Sequence, residues 1–198
     1  MNTNFQILKS SFLNLMLACA LVVFSFSSCT DEPKDSPEVA EDQNEAKFDN
    51  SKEDEAAFLV NAAEIHMEEM ELGKLAQNKG TMSDVKELGK MMDMDHGKAL
   101  ADLQALAGRK SISLPSNLSN DTQEAYKKLS DKTGKDFDKE YCDMMVKGHK
   151  DAIEKFEKAA NESTDTDIKG WASSMLPTLR MHLDHSMTCY EKADATKK

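Results

Sequence analysis

The sequence predicts an all-α domain, four long helices in two antiparallel hairpins with a long crossover between the second and third. Three observations carry this. Ala, Leu, Met, Glu and Lys dominate, while aromatics make up 6% and Gly and Pro number only 8 and 4, a composition that favours helix over sheet. Apolar residues recur at alternating steps of three and four over four separate stretches, the period of a helix face. Two of the three breaks between them are short and polar, as hairpin connections are, and the third is long enough to return along a bundle.

Residues 1–28 contain no acidic residue and a single Lys, Lys9. The apolar run from Phe12 to Phe26 is short for a membrane span and suits a secretory signal. It closes on Phe26-Ser27-Ser28-Cys29, which looks like a bacterial lipoprotein signal with a lipobox. A strict lipobox has Leu where Phe26 stands; looser forms occur in Bacteroidota-like lipoproteins. On this resemblance Cys29 is the acylated first residue of the mature protein, and its partner is a membrane reached through the lipid anchor. The competing reading cleaves the signal elsewhere and leaves Cys29 an ordinary thiol. Residues 29–50 then form a lipidated cysteine and a disordered acidic tether, since this Pro- and acid-rich stretch offers almost nothing to bury. Acidic residues directly after Cys29 also resemble a surface-export signal of some Bacteroidota lipoproteins, with a merely soluble spacer as the alternative. The expected location is the cell envelope, anchored to the outer membrane and facing the periplasm or the surface.

The helical domain is expected over 51–194. Ser51 and Asp54 suggest a capping box for a first helix to about Asn78, whose face carries Leu59, Ala62, His66, Glu69, Gly73 and Ala76. After the Gly80 break, Thr81 and Asp84 suggest the start of a second, with Val85, Met92, His96, Ala99, Leu103 and Leu106 on one face. Gly108 to Lys135 is the crossover, with one short helix near Asp121 to Ser130. A third helix, about Lys135 to Asn161, presents Asp138, Cys142, Met145, His149, Ala152 and Phe156. The fourth, to about Lys192, presents Trp171, Met175, Thr178, His182, His185 and Cys189, and Pro177 inside it denies a hydrogen bond to the Ser173 carbonyl.

Function is sought where four histidines, His66, His96, His149 and His182, fall one to each helix on the apolar stripe. Turning the first hairpin about Gly80 sets His66 level with Asp95 and His96. Turning the second about the middle of 161–167 sets His149 level with His182, and Cys142 level with Cys189. In an oxidising envelope such a cysteine pair reads as a disulfide, with two independent buried thiols as the alternative. A nucleophilic role for Cys142 is poorly supported, because seven helical residues separate it from His149 by about 10 Å.

The segments FLVNAAEIHMEEMELGKLA (58–76), MMDMDHGKALADL (91–103), SLP (113–115), FDKEYCDMMVKGHKDAIEKFEKAA (137–160) and LPTLRMHLDH (176–185) resemble a family of helical bacterial envelope proteins, the domain of unknown function 4142, with a ferritin-like four-helix bundle. The resemblance implies a fold and a compartment, and no reaction. It matches recurring polar positions at Glu69, Asp95, His96, Asp138, Tyr141, His149 and His182, and does not include His66. The ferritin di-iron pattern is not met: Asp93-x-x-His96 only approximates Glu-x-x-His, and His182-x-x-His185 has no carboxylate. Ferroxidase chemistry is therefore not carried over.

The candidate metal ligands are Glu69, Asp95, His96, His149, His182 and His66, since imidazole and carboxylate on facing helices suit Fe, Zn, Mn or Cu. The equal alternative is a buried hydrogen-bond network in which Asp95 or Asp138 orients the imidazoles and fixes register. His185, near the helix end, reads as solvated. Thirteen methionines invite a copper reading, with Met92 and Met145 one turn from His96 and His149, but flexible thioethers more often fill helical cores. No nucleotide-binding Gly-rich loop, nucleophile elbow, zincin helix or CxxC occurs, so catalysis has no positive signal. A net charge of −11 without a basic, aromatic-interleaved stripe excludes nucleic acid as a partner. The sequence thus points to an anchored bundle holding a metal or a buried polar site, for metal handling or stress protection. A structural or interaction module and a metal-dependent redox enzyme are the alternatives.

Overall fold

The computed structural model describes residues 34–195 and is all-helical there. The expected signal segment 1–28 and Cys29 lie outside the described residues. A short helix, α1 (Ser36–Glu45), precedes two long ones, α2 (Asn50–Lys79) and α3 (Ser83–Lys110); α4 (Asn120–Ser130) then leads to α5 (Gly134–Glu162) and α6 (Thr166–Ala195). The closest pairings are α2 with α3 and α5 with α6, two antiparallel hairpins laid against each other. Among the described residues no helix is long and apolar enough to cross a membrane.

Every face residue expected on the first three long helices is buried, from Leu59 to Ala76, Val85 to Leu106 and Asp138 to Phe156. On α6 the buried face is instead Ile168, Ala172, Leu179, His182, Ser186, Cys189 and Ala193. Trp171, Met175 and Thr178 are only half-buried, and His185 is exposed. Both stripes have the same period, and small Ala172 and Ser186 let the backbone come close to the core while Trp171 covers its edge. Hence the stripe is offset by one position at several steps.

The helix starts differ from the expected capping boxes. Asp49 holds the N-cap position of α2, leaving Ser51 inside the first turn. Met82 holds that of α3. The Thr81 amide donates to Asp138 Oδ1 at 2.9 Å, the Thr81 hydroxyl to Asp138 Oδ2, and the Met82 amide to Asp138 Oδ2 at 3.0 Å. A buried carboxylate from α5 thus closes the α2–α3 turn, where free amides of a helix N-terminus favour an anion.

The expectation of a disordered tether over 29–50 is corrected for 36–45. Asp35 and Glu38 form a reciprocal capping box and a proline stands in the first turn of α1. Ala40 and Asn44 are buried. The Asn44 amide donates to the Ser113 carbonyl at 2.9 Å and its carbonyl accepts from the Ser113 amide at 2.8 Å. One side chain thereby satisfies a backbone segment of the crossover, an effect that composition does not reveal. The α4 part of the crossover runs along α2: Glu64 accepts from the Ser119 amide at 2.7 Å at the start of α4, and Lys79 donates to the Ser130 carbonyl at its end. Gly134, at φ 59°, then begins α5 in a conformation that glycine adopts without penalty.

Apolar side chains gather in two layers. One holds Leu72, Leu88, Met92, Phe137, Tyr141 and Met145, the other Leu59, Leu103, Phe156, Ala172 and Leu179. Along each long helix the histidine falls between the two. A polar layer therefore crosses the bundle at mid-height.

Candidate metal centre

Four buried imidazoles make up that layer: His66 from α2, His96 from α3, His149 from α5 and His182 from α6, each 0–1% exposed. His96 Nε2 lies 3.2 Å from His182 Nδ1, and His149 Nε2 lies 3.3 Å from the same atom. Among the described residues, these three offer nitrogens that all lie within 4.8 Å of one another. Two nitrogens bound tetrahedrally to one ion at 2.0–2.1 Å stand about 3.3 Å apart. Two edges of the triangle, 3.2 and 3.3 Å, match that value, and the third lies within 4.8 Å.

The outward nitrogen of each ring is held by a different group. His149 Nδ1 donates to the carbonyl of Met145, one turn back on α5, at 2.9 Å. His182 Nε2 donates to Asp95 Oδ2 at 3.0 Å. His96 Nδ1 meets His66 Nδ1 at 2.9 Å. A carbonyl and a carboxylate only accept, so His149 and His182 carry their protons outward and turn lone pairs inward. His149 Nε2 and His182 Nδ1 then face each other with no proton between them, whichever tautomer His96 adopts.

Electrostatics keeps the rings neutral. Burial, then the nearby His149 and His182, holds His66 down to about 3. His149 is held down to about 4 by burial and then His182, against the Met145 carbonyl. His96 is held well below the ordinary range by burial and its three neighbours, and His182 is lowered by burial with Asp95 opposing. Neutral imidazole is the ligating form. Protonation of the rings therefore does not resolve the facing lone pairs near pH 7.

Of the six candidate ligands, the structure brings His96, His149 and His182 together and places the other three behind them. His66 backs His96, and Asp95 backs His182. Glu69 sits on the far side of His149, its Oε1 3.6 Å from Nδ1, beyond hydrogen-bond range. Burial, then Glu68, pushes the Glu69 carboxyl well above the usual range, which favours its neutral form beside the ring's occupied nitrogen. A Cβ at residue 148 would come within 3.0 Å of its Oε1, and Gly148 leaves that room. Asp138, weighed as an imidazole orienter, caps the α2–α3 turn instead. Tyr141 stacks on Phe137, centroids 6.3 Å apart, and its hydroxyl is buried without a hydrogen-bond partner. Met92 and Met145 belong to the apolar layer, as packing requires. The sequence reading missed the Met145 carbonyl, although a face histidine always has the carbonyl four residues back within its reach.

Cys142 and Cys189 form a disulfide between α5 and α6, Cα atoms 5.8 Å apart, on the helices that carry His149 and His182. Closing a 47-residue separation stabilises by about 4 kcal/mol in the chain-entropy account. No curated protein and no solved structure matches the chain. A family profile described as a domain of unknown function, DUF4142, matches residues 39–188, which spans α2, α3, α4 and α5 in full and every residue of the histidine layer. The chain belongs to the DUF4142 family.

Proposed function

We propose that the protein is a metal-binding lipoprotein of the cell envelope, a ferritin-like four-helix bundle that holds one divalent transition ion on His96, His149 and His182. The observation that carries the reading is the pair of inward lone pairs, His149 Nε2 and His182 Nδ1, 3.3 Å apart in a buried layer. A hydrogen-bond network leaves that contact without a proton; a cation satisfies all three nitrogens at once. Outer partners on every ligand are the usual accompaniment of a metal site, fixing tautomer and ring orientation. Three imidazoles without a converging thiolate or carboxylate favour zinc, copper or iron over manganese. With all three rings about 1% exposed, the site suits holding and delivering an ion better than turning over a large substrate. Metal handling or stress protection at the envelope is the corresponding role, and Cys29 would tether it there.

Isothermal titration with Zn²⁺, Cu²⁺ and Fe²⁺ tests the centre. His149→Ala and His182→Ala are expected to weaken binding by at least about a hundredfold, whereas His66→Phe, which removes only a backing group, should cost about tenfold. No binding by the unaltered protein tighter than about millimolar would return the layer to a purely structural role. For the anchor, Cys29→Ser is expected to release the protein from the membrane fraction with an unmodified N-terminus. Retention equal to that of the unaltered chain would refute lipidation.

A further inference from the structure

The three converging rings are each about 1% exposed, so an ion reaches them only where some neighbour can move aside. The groups behind them differ sharply in this respect. His66 is fully buried and wedged against Phe156 and Trp171, its ring centroid 6.0 Å from each. Glu69 has a side chain 6% exposed, and the Met145 carbonyl is fixed in the α5 backbone on a buried residue. Asp95 alone of these spans the two environments: its side chain is 42% exposed, yet Oδ2 accepts a hydrogen bond from Nε2 of a ring that is 1% exposed. Only one hydrogen bond separates solvent from the back of His182.

Resting on the metal reading above, we propose that Asp95 and His182 form the entry gate of the site, at the seam of α3 and α6. An incoming divalent cation meets the Asp95 carboxylate first. As the carboxylate turns to the ion, His182 loses its outer anchor, and its ring is free to swing about its side-chain torsions. The ion then passes inward to the nitrogens of His96 and His149, and His182 returns to close the triangle with its Nε2–H again donating to Asp95. Several features fit this order. An anionic carboxylate at the mouth concentrates cations in a chain of net charge −11. Of the three ligands, only His182 is held on its outer side by a group that solvent can reach. The other two are locked, one by its own helix carbonyl and one by a buried imidazole, and form a fixed floor. Asp95 is accordingly a positioning residue in the loaded site and a contact residue during loading.

Stopped-flow loading of the purified full-length protein with Zn²⁺, followed through the fluorescence of Trp171 beside His66, separates the two roles. Asp95→Asn keeps the size and the acceptor oxygen but removes the charge. It is expected to slow association by about tenfold or more and to reduce its salt dependence. Asp95→Glu, which restores the carboxylate, should recover the rate to within about threefold. Asp102→Asn, which removes an exposed carboxylate two turns along α3 from Asp95 and away from the site, should leave association unchanged. If Asp95→Asn associates as fast as the unaltered protein and loses affinity only through faster release, Asp95 merely orients His182 and the gate is wrong while the metal centre stands. If the unaltered protein takes up none of Zn²⁺, Cu²⁺ and Fe²⁺, in this assay or by titration, both fall together.

Discussion

A buried neutral histidine couples the stability of this protein to pH in a direction that can be worked out. His66 and His149 titrate near 3 and 4 in the folded chain but near 6.5 when unfolded, and His96 is lowered further than the ordinary range allows. Below 6.5 the unfolded chain therefore takes up protons that the folded one refuses. Their contribution is complete above pH 6.5 and is lost as pH falls toward about 3, at about 1.4 kcal/mol per pH unit for each ring that stays neutral. Glu69 acts oppositely: its raised folded value means that its contribution is complete below about 4.5 and declines as pH rises. Three strongly lowered histidines outweigh one carboxyl. The metal-free protein, held in excess chelator, should melt roughly 10 °C lower at pH 5 than at pH 7. A melting temperature that is flat or higher at pH 5 would show that the rings are not buried neutral. The same shift moves the pH dependence of metal binding, which ordinary histidine values would place near neutrality, to more acidic solution. At this scale the sequence made the layer legible, because a histidine on an apolar stripe is conspicuous. It could not separate the three that converge from the three groups that stand behind them, since His66, Glu69 and Asp95 are distinguished only by which ring nitrogen they face.

Helix pairing decides whether those nitrogens meet. α2 and α3 come close at Gly73 and Gly89, where a Cβ on Gly73 would stand 2.6 Å from the Gly89 carbonyl oxygen, and a Cβ on Gly89 2.7 Å from that of Gly73. Both obstacles are backbone, so neither can move aside cheaply. The crossing lies two turns from the His66–His96 contact on the same helices, and it sets the distance between those rings. Gly73→Ala is expected to destabilise by about 2 kcal/mol, the ordinary cost of overpacking, and to weaken metal binding as well because His96 moves with α3. Denaturant unfolding and metal titration on the same variant check both; a Gly73→Ala protein of unchanged stability would mean that the helices separate freely. Periodicity revealed the long helices and the faces of α2, α3 and α5, since each of those stripes is continuous. It misplaced part of the α6 face, where Trp171 looks like core but covers its edge and Ala172 and Ser186 look neutral but lie inside. It also assigned local caps where Asp138, 57 residues away from Thr81 in sequence, does the capping. A long-range cap has no local signature.

Over the whole molecule, a polar layer between two apolar ones is a costly arrangement unless its members are satisfied; partners come from every long helix, yet His66 Nε2 and Glu69 Oε2 stay buried without one. The two hairpins each place two histidines, so neither hairpin alone completes the site. What holds the hairpins in one arrangement includes the long connection between them, and α1 is fastened to that connection. Asn44 is 2% exposed and engages both backbone groups of Ser113, at 2.9 and 2.8 Å, while Ser36 Oγ accepts from the Ser116 amide at 2.8 Å. The segment that composition assigned to a tether therefore acts as a clasp on the crossover. If the chain is anchored at Cys29, any pull on the anchor reaches the domain through this clasp. Replacing Asn44 by Ala removes both hydrogen bonds and leaves a backbone donor and acceptor of the crossover without their partner, at a cost of about 2 kcal/mol. The expected result is a lower denaturation midpoint together with faster protease cleavage in residues 34–49 and faster amide exchange at 112–118, while the α5–α6 hairpin keeps its protection. Equal cleavage and exchange in the Asn44→Ala and unaltered proteins would show that α1 rests on the crossover without restraining it.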